Sequence, residues 1–271
     1  MRQLIIAAIV LAAGTSYAQI PALYDCIYEY QMQGEGKNRE FSRTYNCILQ
    51  IGKEHSKFYD YAQFRTDSVA QVPTAGDDIK AEIESTRLKA ENYYDELIFN
   101  SIPDKNISVY ADIVPDRYKY DETTPVMTWE ITADKDTVCG YECHKAEATY
   151  GGRRWIAWYT EDIPVPFGPW KLTSLPGLVL KAEDSTGNHR FEAICFRNAT
   201  GCIIPDNTPN VIGTKHDKFV ARKNNYDLDP YSIIQPEQIS DMTVINHRVI
   251  INGFKIPDNS TGFVPLEITD K

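Results

Sequence analysis

The chain has 271 residues, of which 42% are hydrophobic and 11% aromatic, and it contains 17 tyrosines. This composition supports a packed core and excludes an intrinsically disordered chain. The formal net charge of −10 repels phosphate groups, so it argues against nucleic acids and anionic membrane surfaces as partners.

The N-terminus carries the pattern of a secretory signal peptide. Arg2 precedes an apolar run over residues 4–13, and the small residues Ser16 and Ala18 follow it. This pattern predicts cleavage after Ala18. The sequence contains no later run of about 18 apolar residues, the minimum for a membrane-spanning helix. We therefore expect residues 1–18 to be removed and residues 19–271 to form a single β-rich domain that is exported and does not span a membrane.

All six cysteines follow the predicted cleavage site, which favours disulfide bonds because an exported chain meets an oxidising compartment. They are Cys26, Cys47, Cys139, Cys143, Cys195 and Cys202. Residues 24–32 and 45–51 alternate apolar and polar side chains, as half-buried strands do. A hairpin that turns between Gly36 and Lys37 predicts Cys26 opposite Cys47, within bonding distance. The same argument around residues 198–201 pairs Cys195 with Cys202, and elimination leaves Cys139 with Cys143.

The rest of the chain predicts short strands and few helices. Strands are indicated at residues 57–61, 97–99, 107–113, 126–131, 143–150 and 243–251. One helix is indicated at residues 77–90, which open with two aspartates, and a polar helix at residues 215–226. Residues 257–271 predict a poorly ordered tail. Regular short strands without intervening helices favour a mainly β fold, an antiparallel curved sheet or half-barrel with a few short helices.

Residues 151–184 contain three of the four tryptophans. Residues 155–159 are apolar on both faces, which predicts a strand covered on both sides. The prolines that follow cannot donate to a ladder, so residues 163–169 should leave the sheet or run along its edge. Pro176 and Gly177 fit the centre of a type II turn, in which glycine supplies a positive φ. Residues 178–180 and the segment from residue 191 onward predict a hairpin around a turn at residues 184–188.

Several motifs in and before this stretch are shared with a known family. They are Trp158-Tyr159-Thr160, Ile163-Pro164, Gly168-Pro169-Trp170-Lys171, Leu175-Pro176-Gly177-Leu178 and Asp184, with Gly140-Tyr141, Cys143, Lys145-Ala146, Gly152-Arg153 and Trp155 upstream. In these positions, over roughly a quarter of its length, the chain resembles the GLPGLI family of exported bacterial proteins. Ser174 stands where the family signature has its first glycine, and Val179 replaces its final isoleucine. The resemblance implies residence in the periplasm or at the outer-membrane surface, and it implies no activity, cofactor or catalytic residue.

Aromatic and cationic side chains of the central stretch are the candidate ligand-binding residues. Exposed ring faces stack on apolar ligands, and arginine or lysine can receive a carboxylate or phosphate. The candidates are Arg153, Trp155, Trp158, Phe167, Trp170 and Lys171. Trp170 lies in the proline-rich loop, so it is expected to be the most exposed ring. The sequence favours the alternative that these rings fill the core of a strand-rich domain, because aromatic side chains dominate the interiors of β proteins.

The sequence indicates no catalytic residue, no cofactor and no metal site. The G-x-S-x-G and H-E-x-x-H motifs are absent. Cys139, Cys143 and His144 could bind copper or zinc, but in an exported protein the two cysteines favour a disulfide.

Three hypotheses of function follow, of which a non-enzymatic periplasmic binding or carrier protein comes first. A carrier of an apolar ligand predicts a concave pocket lined by rings of the central strands. A partner of an outer-membrane β-barrel predicts a packed interior and an exposed apolar loop at residues 167–175. A hydrolase or metal-binding protein predicts His144 or His189 beside Asp or Ser in a cleft.

Overall fold

The computed structural model describes residues 20–70, 76, 78–79, 93–206, 208, 210–245, 248–252, 254–257 and 262–268. The predicted signal peptide lies outside the described residues. So does the predicted helix at 77–90, apart from residues 78 and 79.

The described part of the chain is built mainly from strands. In chain order they are β1 (Ile20–Pro21), β2 (Tyr24–Gln33), β3 (Ser42–Ile51), β4 (His55–Asp60), β5 (Glu96–Ser101), β6 (Asn106–Ile113), β7 (Asp116–Thr123), β8 (Glu130–Val138), β9 (Tyr141–Tyr150), β10 (Arg153–Thr160), β11 (Leu178–Asp184), β12 (His189–Asn198), β13 (Cys202–Ile203), β14 (Ile212–Gly213), β15 (Met242–Ile245), β16 (Arg248–Ile251) and β17 (Phe254–Lys255). Two α-helices are described, α1 (Tyr61–Ala70) and α2 (His216–Leu228). Short 3-10 helices occur at Gly36–Asn38, Pro230–Ser232 and Pro236–Gln238.

Twelve strands form one large sheet in the order β14-β7-β6-β5-β4-β3-β2-β12-β11-β10-β9-β8. Neighbours are antiparallel except β14, which runs parallel to β7. The sheet is strongly curved: Phe58 on β4 and Phe191 on β12 are three strands apart, about 14 Å on a flat sheet, yet their ring centroids lie 6.0 Å apart. The predicted fold, a mainly antiparallel curved sheet with a few short helices, is confirmed.

The concave face of the sheet holds the main core. Alternate residues of the central strands point inward, among them Tyr28, Trp155 and Phe191. Residues 161–177 leave the sheet, as was predicted for residues 163–169, and pack in the concavity, where Phe167 and Trp170 are only 1% and 4% exposed. We call residues 161–177 the plug. The predicted exposure of Trp170 is therefore wrong, because the plug runs inside the curved sheet rather than over its surface.

Helix α2 and residues 262–268 also pack against the core on the concave side of the sheet. The helix predicted at residues 215–226 is confirmed as α2, and Phe219 and Tyr226 are both buried. The predicted tail is packed in its described part, since Val264 is buried and Phe263 lies against the concave core.

Helix α1 covers part of the convex face and was not predicted. Its residues Tyr61 and Phe64 pack against Ile48 and Tyr59 of the sheet. The Asp60 carboxylate accepts hydrogen bonds from the amides of residues 62 and 63, at 2.8 and 3.1 Å. Asp60 thus caps the first turn of α1.

The register of the β2–β3 hairpin differs from the prediction by two residues. Tyr28 pairs with Cys47, and Cys26 pairs with Leu49. The connection contains a 3-10 helix in which Gly36 has φ +54°, and this turn moves the centre of the hairpin one residue along the chain. Cys26 and Cys47 therefore share a face of the sheet but do not lie opposite each other.

The other two cysteine pairings also differ from the prediction. Strand β12 pairs with β11 and β2, whereas Cys202 on β13 pairs with Pro21 on β1, so no hairpin sets Cys195 opposite Cys202. Cys139 lies in the exposed turn between β8 and β9, while Cys143 is buried. None of the three predicted disulfides is formed in the structure.

Several strand predictions are confirmed and others receive new bounds. The hairpin around residues 184–188 is confirmed, with Ala182 paired to Phe191. The strand predicted at residues 126–131 begins only at Glu130, and the one predicted at residues 243–251 is the hairpin of β15 and β16. Strand β10 is buried on its concave side, whereas Arg154, Ile156 and Trp158 on the other side are exposed or half-buried, so residues 155–159 are not covered on both sides. Strand β7 was missed because five of its eight residues carry charge.

The turn before β11 is not the predicted type II turn. Positive φ occurs at Ser174, at +76°, and not at Gly177. A Cβ atom at Gly177 would lie 1.9 Å from the backbone oxygen of Thr160. Gly177 is therefore required by the close approach of two backbone segments rather than by its φ angle.

Candidate functional site: an aromatic cavity on the concave side

A cavity of about 100 Å³ lies between the concave face of the sheet, helix α2 and residues 262–268. We call it the aromatic cavity. Its aromatic lining residues come from distant parts of the chain and are Tyr30, Tyr45, Tyr93, Tyr94, Tyr120, Trp170, Phe219 and Phe263. Its charged lining residues are Arg43, Asp95, Glu96, Lys223, Asp227 and Glu267.

Tyr30 organises one wall of the cavity. Its ring stacks on Tyr45 at 5.2 Å and on Phe191 at 4.3 Å between centroids, and Tyr94 meets it edge-on at 5.9 Å. Tyr30 and Tyr45 are cross-strand partners of β2 and β3, which places both rings on the same face. The strand pairing therefore explains why this wall is aromatic.

A buried network of hydrogen bonds holds the Tyr30 hydroxyl in place. The Tyr30 hydroxyl lies 2.8 Å from His189 Nδ1, and His189 Nε2 lies 3.2 Å from the carbonyl oxygen of Pro265. The carbonyl can only accept, so we assign the ring proton to Nε2 and the accepting role to Nδ1. Burial, with the nearby Arg153 guanidinium, lowers the pKa of His189 to about 3. His189 is therefore a neutral structural residue with both ring nitrogens engaged.

Arg153 ties the C-terminal segment to the sheet. Its Nη1 donates to Asp184 Oδ2 at 2.8 Å, and its Nε donates to the carbonyl oxygen of Leu266 at 3.1 Å. Asp184 also accepts from the backbone amide of His189 at 2.8 Å. These contacts hold residues 265–267 against the cavity.

Lys223 of α2 provides a cation in the cavity lining. Its Nζ lies 3.0 Å from Asp95 Oδ2 and contacts Asp227, one helical turn further on. Burial alone would lower the pKa of Lys223, but the carboxylates of Asp227, Asp95 and Glu96 outweigh burial and raise it. Lys223 therefore remains an ammonium that these carboxylates neutralise.

Glu267 receives two cations beside the cavity. Lys171 Nζ lies 2.6 Å from its Oε2, and His216 Nε2 lies 2.7 Å from its Oε1. Lys171 also pairs with Glu122 at 3.1 Å. The hydrogen bond to Glu267 is the main reason that the pKa of His216 is raised to about 9. The negative charge of Glu267 is therefore balanced by Lys171 and His216.

Glu96 differs from the other lining carboxylates. It accepts a hydrogen bond from the Tyr94 hydroxyl at 3.1 Å, and within the described residues it forms no ion pair. Burial raises its pKa, although the charges of Lys223 and Lys171 act in the opposite direction. The cavity therefore contains one carboxylate without a cation in contact.

The six candidate ligand-binding residues do not form one site. Trp170 lines the cavity, whereas Trp155 and Phe167 are buried in the core around it. Trp158 is half-buried on the other face of β10, with the Lys181 ammonium 4.4 Å from its ring centroid. Arg153 and Lys171, both predicted as anion receptors, are buried and paired with carboxylates instead.

Most of the residues that line the cavity are not indicated by the sequence. Tyr30 lies in a correctly predicted strand, and Lys223 and Asp227 have the i, i+4 spacing of a helical ion pair. These local signals identify a strand face and a helix face. They do not indicate that the two faces meet, because β2 and α2 are more than 180 residues apart in the chain.

Neither a metal cluster nor a membrane-crossing helix is found in the described part of the chain. No group of three or more His, Cys, Asp or Glu side chains among residues 20–268, as described, is arranged to hold a metal ion. None of the described helices combines the length and apolar character needed to cross a bilayer.

No family model matches the sequence, and no curated protein matches it either. Among solved structures, the chain is similar to PNGF-II in two crystal forms, each at 15% identity over 74% of this chain, with TM-scores of 0.50 and 0.49. The match covers only 32% and 33% of the PNGF-II chain. A LolA superfamily protein from Nitrosomonas europaea matches at 8% identity and a TM-score of 0.27, over 70% of this chain and 90% of that one. At this level of identity the PNGF-II likeness shows a shared fold over about a third of that protein.

Proposed function

We propose that this protein is an exported, non-enzymatic binding component of the bacterial periplasm or outer-membrane surface, and that its ligand occupies the aromatic cavity. The observation that carries the proposal is the cavity itself, a space of about 100 Å³ lined by aromatic rings and a few charged groups. Binding sites commonly combine an apolar lining with a small number of polar groups.

Export rests on the N-terminal sequence pattern and on the resemblance to the GLPGLI family. N-terminal sequencing of the protein recovered from a periplasmic fraction should read from Gln19. An intact N-terminus in the cytosolic fraction would overturn this part of the proposal.

The volume of the cavity limits the ligand. A cavity of this order accommodates a single ring or a short branched chain, whereas sites for whole drug-sized ligands measure about 300–1,000 Å³. The plug packs into the core on the concave side of the sheet, in space that a carrier of a long acyl chain would need. We therefore infer a small ligand, or one end of a larger one.

The features expected for the other two hypotheses, a partner of an outer-membrane β-barrel and a hydrolase, do not occur where they were predicted. The partner hypothesis required an exposed apolar loop at residues 167–175, but Phe167, Trp170, Leu172 and Leu175 are all buried. The hydrolase hypothesis required His144 or His189 in a cleft. His144 lies on β9 and does not line the aromatic cavity. His189 is buried with both ring nitrogens engaged, so it is not available for proton transfer to a substrate.

Native mass spectrometry of the protein purified from its own periplasm tests the proposal. Val220 lines the cavity, so Val220→Phe fills part of it, while Val126 is 90% exposed and Val126→Phe is the matched control. We expect a small co-purified molecule on the wild type and on Val126→Phe, and reduced occupancy on Val220→Phe. If Val220→Phe does not fold, Val220→Leu makes a smaller change at the same position. Equal occupancy in all variants, or none in the wild type, contradicts the proposal.

A further inference from the structure

Two aromatic rings of the cavity lining make cation–π contacts with a lysine of the protein. The ammonium of Lys171 lies 5.3 Å from the ring centroids of both Trp170 and Tyr120. Cations within about 6 Å of a ring centroid are attracted by the negative potential of the ring face. Trp170 and Tyr120 both line the cavity, so the same rings contribute to a surface that favours positive charge.

The charges that line the cavity are unequal. Four carboxylates, those of Asp95, Glu96, Asp227 and Glu267, face two cations, Arg43 and Lys223. Asp95 and Asp227 contact Lys223, and Glu267 is compensated from outside the lining by Lys171 and His216. The Arg43 guanidinium is placed 5.0 Å from the ring centroid of Phe41.

Glu96 is the one carboxylate of the cavity lining that contacts no cation within the described residues. Within the described residues its one direct polar contact is the Tyr94 hydroxyl. Glu96 is half-buried. A carboxylate that has lost part of its hydration and has no cation in contact is unfavourable, and a ligand that brings a positive charge relieves that cost. Burial raises the pKa of Glu96 for the same reason.

We propose that the group received by the aromatic cavity is an organic cation, an ammonium carried on a ring or a short chain. Its ammonium contacts Glu96, and its apolar part lies among Tyr30, Tyr94, Tyr120 and Trp170. This inference rests on the proposed function, because it requires that a ligand enters the cavity. An anionic group is disfavoured because it meets Glu96 directly and finds Lys223 already engaged with Asp95 and Asp227.

Three probes of similar size test the inference. Benzylammonium, benzyl alcohol and benzoate share one ring and differ in charge. Each is titrated by calorimetry into the full mature protein at pH 7.5, into Glu96→Gln and into Glu130→Gln, a matched control at an exposed position on β8. We expect benzylammonium to bind the wild type about tenfold or more tightly than either other probe, since one charge-assisted hydrogen bond is worth that ratio. Glu96→Gln should abolish the preference, and Glu130→Gln should keep it.

The variant Val220→Phe distinguishes two claims: that the cavity binds a ligand, and that this ligand is a cation. If benzoate or benzyl alcohol binds as tightly as benzylammonium and Val220→Phe blocks binding, the cavity is a binding site and the inference of a cation is wrong. If no probe binds although a molecule co-purifies with the wild type, the inference of a cation is wrong and the proposed function stands. If Val220→Phe leaves binding unchanged, the proposed function itself fails. Should Glu96→Gln not fold, the order of the three affinities on the wild type decides the inference.

Discussion

Ser174 adopts a left-handed backbone conformation, with φ +76°. This region is costly for residues other than glycine by roughly 1–2 kcal/mol. Glycine adopts this conformation without a steric penalty, so it is the residue that the turn favours at position 174. Gly177, by contrast, is needed for space, because a Cβ atom there would overlap the backbone of Thr160.

The two positions make opposite predictions. Ser174→Gly should raise the free energy of unfolding by about 0.5–1 kcal/mol, because relief of the backbone conformation exceeds the added entropy of the unfolded chain. Gly177→Ala should lower it by several times that amount, as overpacking does. Urea denaturation measures both values. A destabilised Ser174→Gly variant would contradict the account of this turn.

His216 makes stability depend on pH above neutrality. It faces the carboxylates of Glu267 and Asp217, the ammonium of Lys171 and the ring of Tyr120. Its pKa is about 9 when folded and 6.5 ordinarily. The folded state therefore holds the proton more tightly, and the stabilisation is complete below about pH 6.5 and lost as the pH rises through 9.

The expected result is a lower melting temperature at pH 9.5 than at pH 6.5, beyond the trend shared by all variants. His216→Gln should flatten this dependence, because the variant has no proton to lose. His144→Gln on β9 serves as the matched control and should keep the wild-type dependence. Identical pH profiles for the wild type and His216→Gln would show that the contact with Glu267 does not contribute to stability.

At the scale of elements, the plug is part of the core of the half-barrel. Trp170 lies 5.6 Å from Trp155 and 5.4 Å from Tyr150 between ring centroids, and it is almost fully buried. Trp158, on the other face of β10, is half-buried. The two tryptophans carry similar sequence signals but contribute differently to the fold.

Trp170→Ala should therefore lower the free energy of unfolding by about 3–5 kcal/mol, through lost burial and the cavity left behind. Trp158→Ala should cost about 1 kcal/mol, because its ring remains in contact with water. Chemical denaturation followed by far-ultraviolet circular dichroism measures both. Similar losses for the two variants would indicate that the plug is not anchored by Trp170.

Strands were easier to predict than the contacts between them. Alternation identified β2 and β3, and the turn residues at 184–188 fixed the β11–β12 hairpin. The β2–β3 register was missed because the 3-10 turn at Gly36–Asn38 shifts every cross-strand pair by two residues. Each predicted disulfide depended on such a register or on elimination. The predicted cysteine pairings were therefore wrong, although the strands that carry the cysteines of the β2–β3 hairpin were predicted correctly.

At the scale of the whole molecule, curvature creates the site. Lining residues range from Tyr30 to Glu267 along the chain, and they meet because the sheet wraps around the plug and α2 closes over it. Alternation and helical spacing predict which way a side chain points within its own element. They carry no information on how strongly a sheet bends, and this is why the central tryptophans were selected and Tyr94, Glu96 and Lys223 were not.

The same assembly predicts how pH controls binding of an organic cation. Glu96 faces Tyr94, Lys223, Lys171, Asp95 and Glu267, and burial raises its pKa above the ordinary 4.5. Protonated Glu96 cannot attract an ammonium, so the affinity for benzylammonium should fall as the pH is lowered through this raised pKa, by at most about tenfold per pH unit for a single group. Asp227, whose pKa burial raises to about 7, is the competing titrating group.

Glu96→Gln and Asp227→Asn distinguish the two carboxyl groups. Calorimetric titrations from pH 8 to pH 4.5 should show a steep loss of benzylammonium affinity in the wild type and in Asp227→Asn, and a nearly flat profile in Glu96→Gln. If the loss persists in Glu96→Gln and disappears in Asp227→Asn, the ammonium contacts the carboxylate on α2 rather than Glu96. The cation would then compete with Lys223 for Asp227, and its affinity should rise in Lys223→Met.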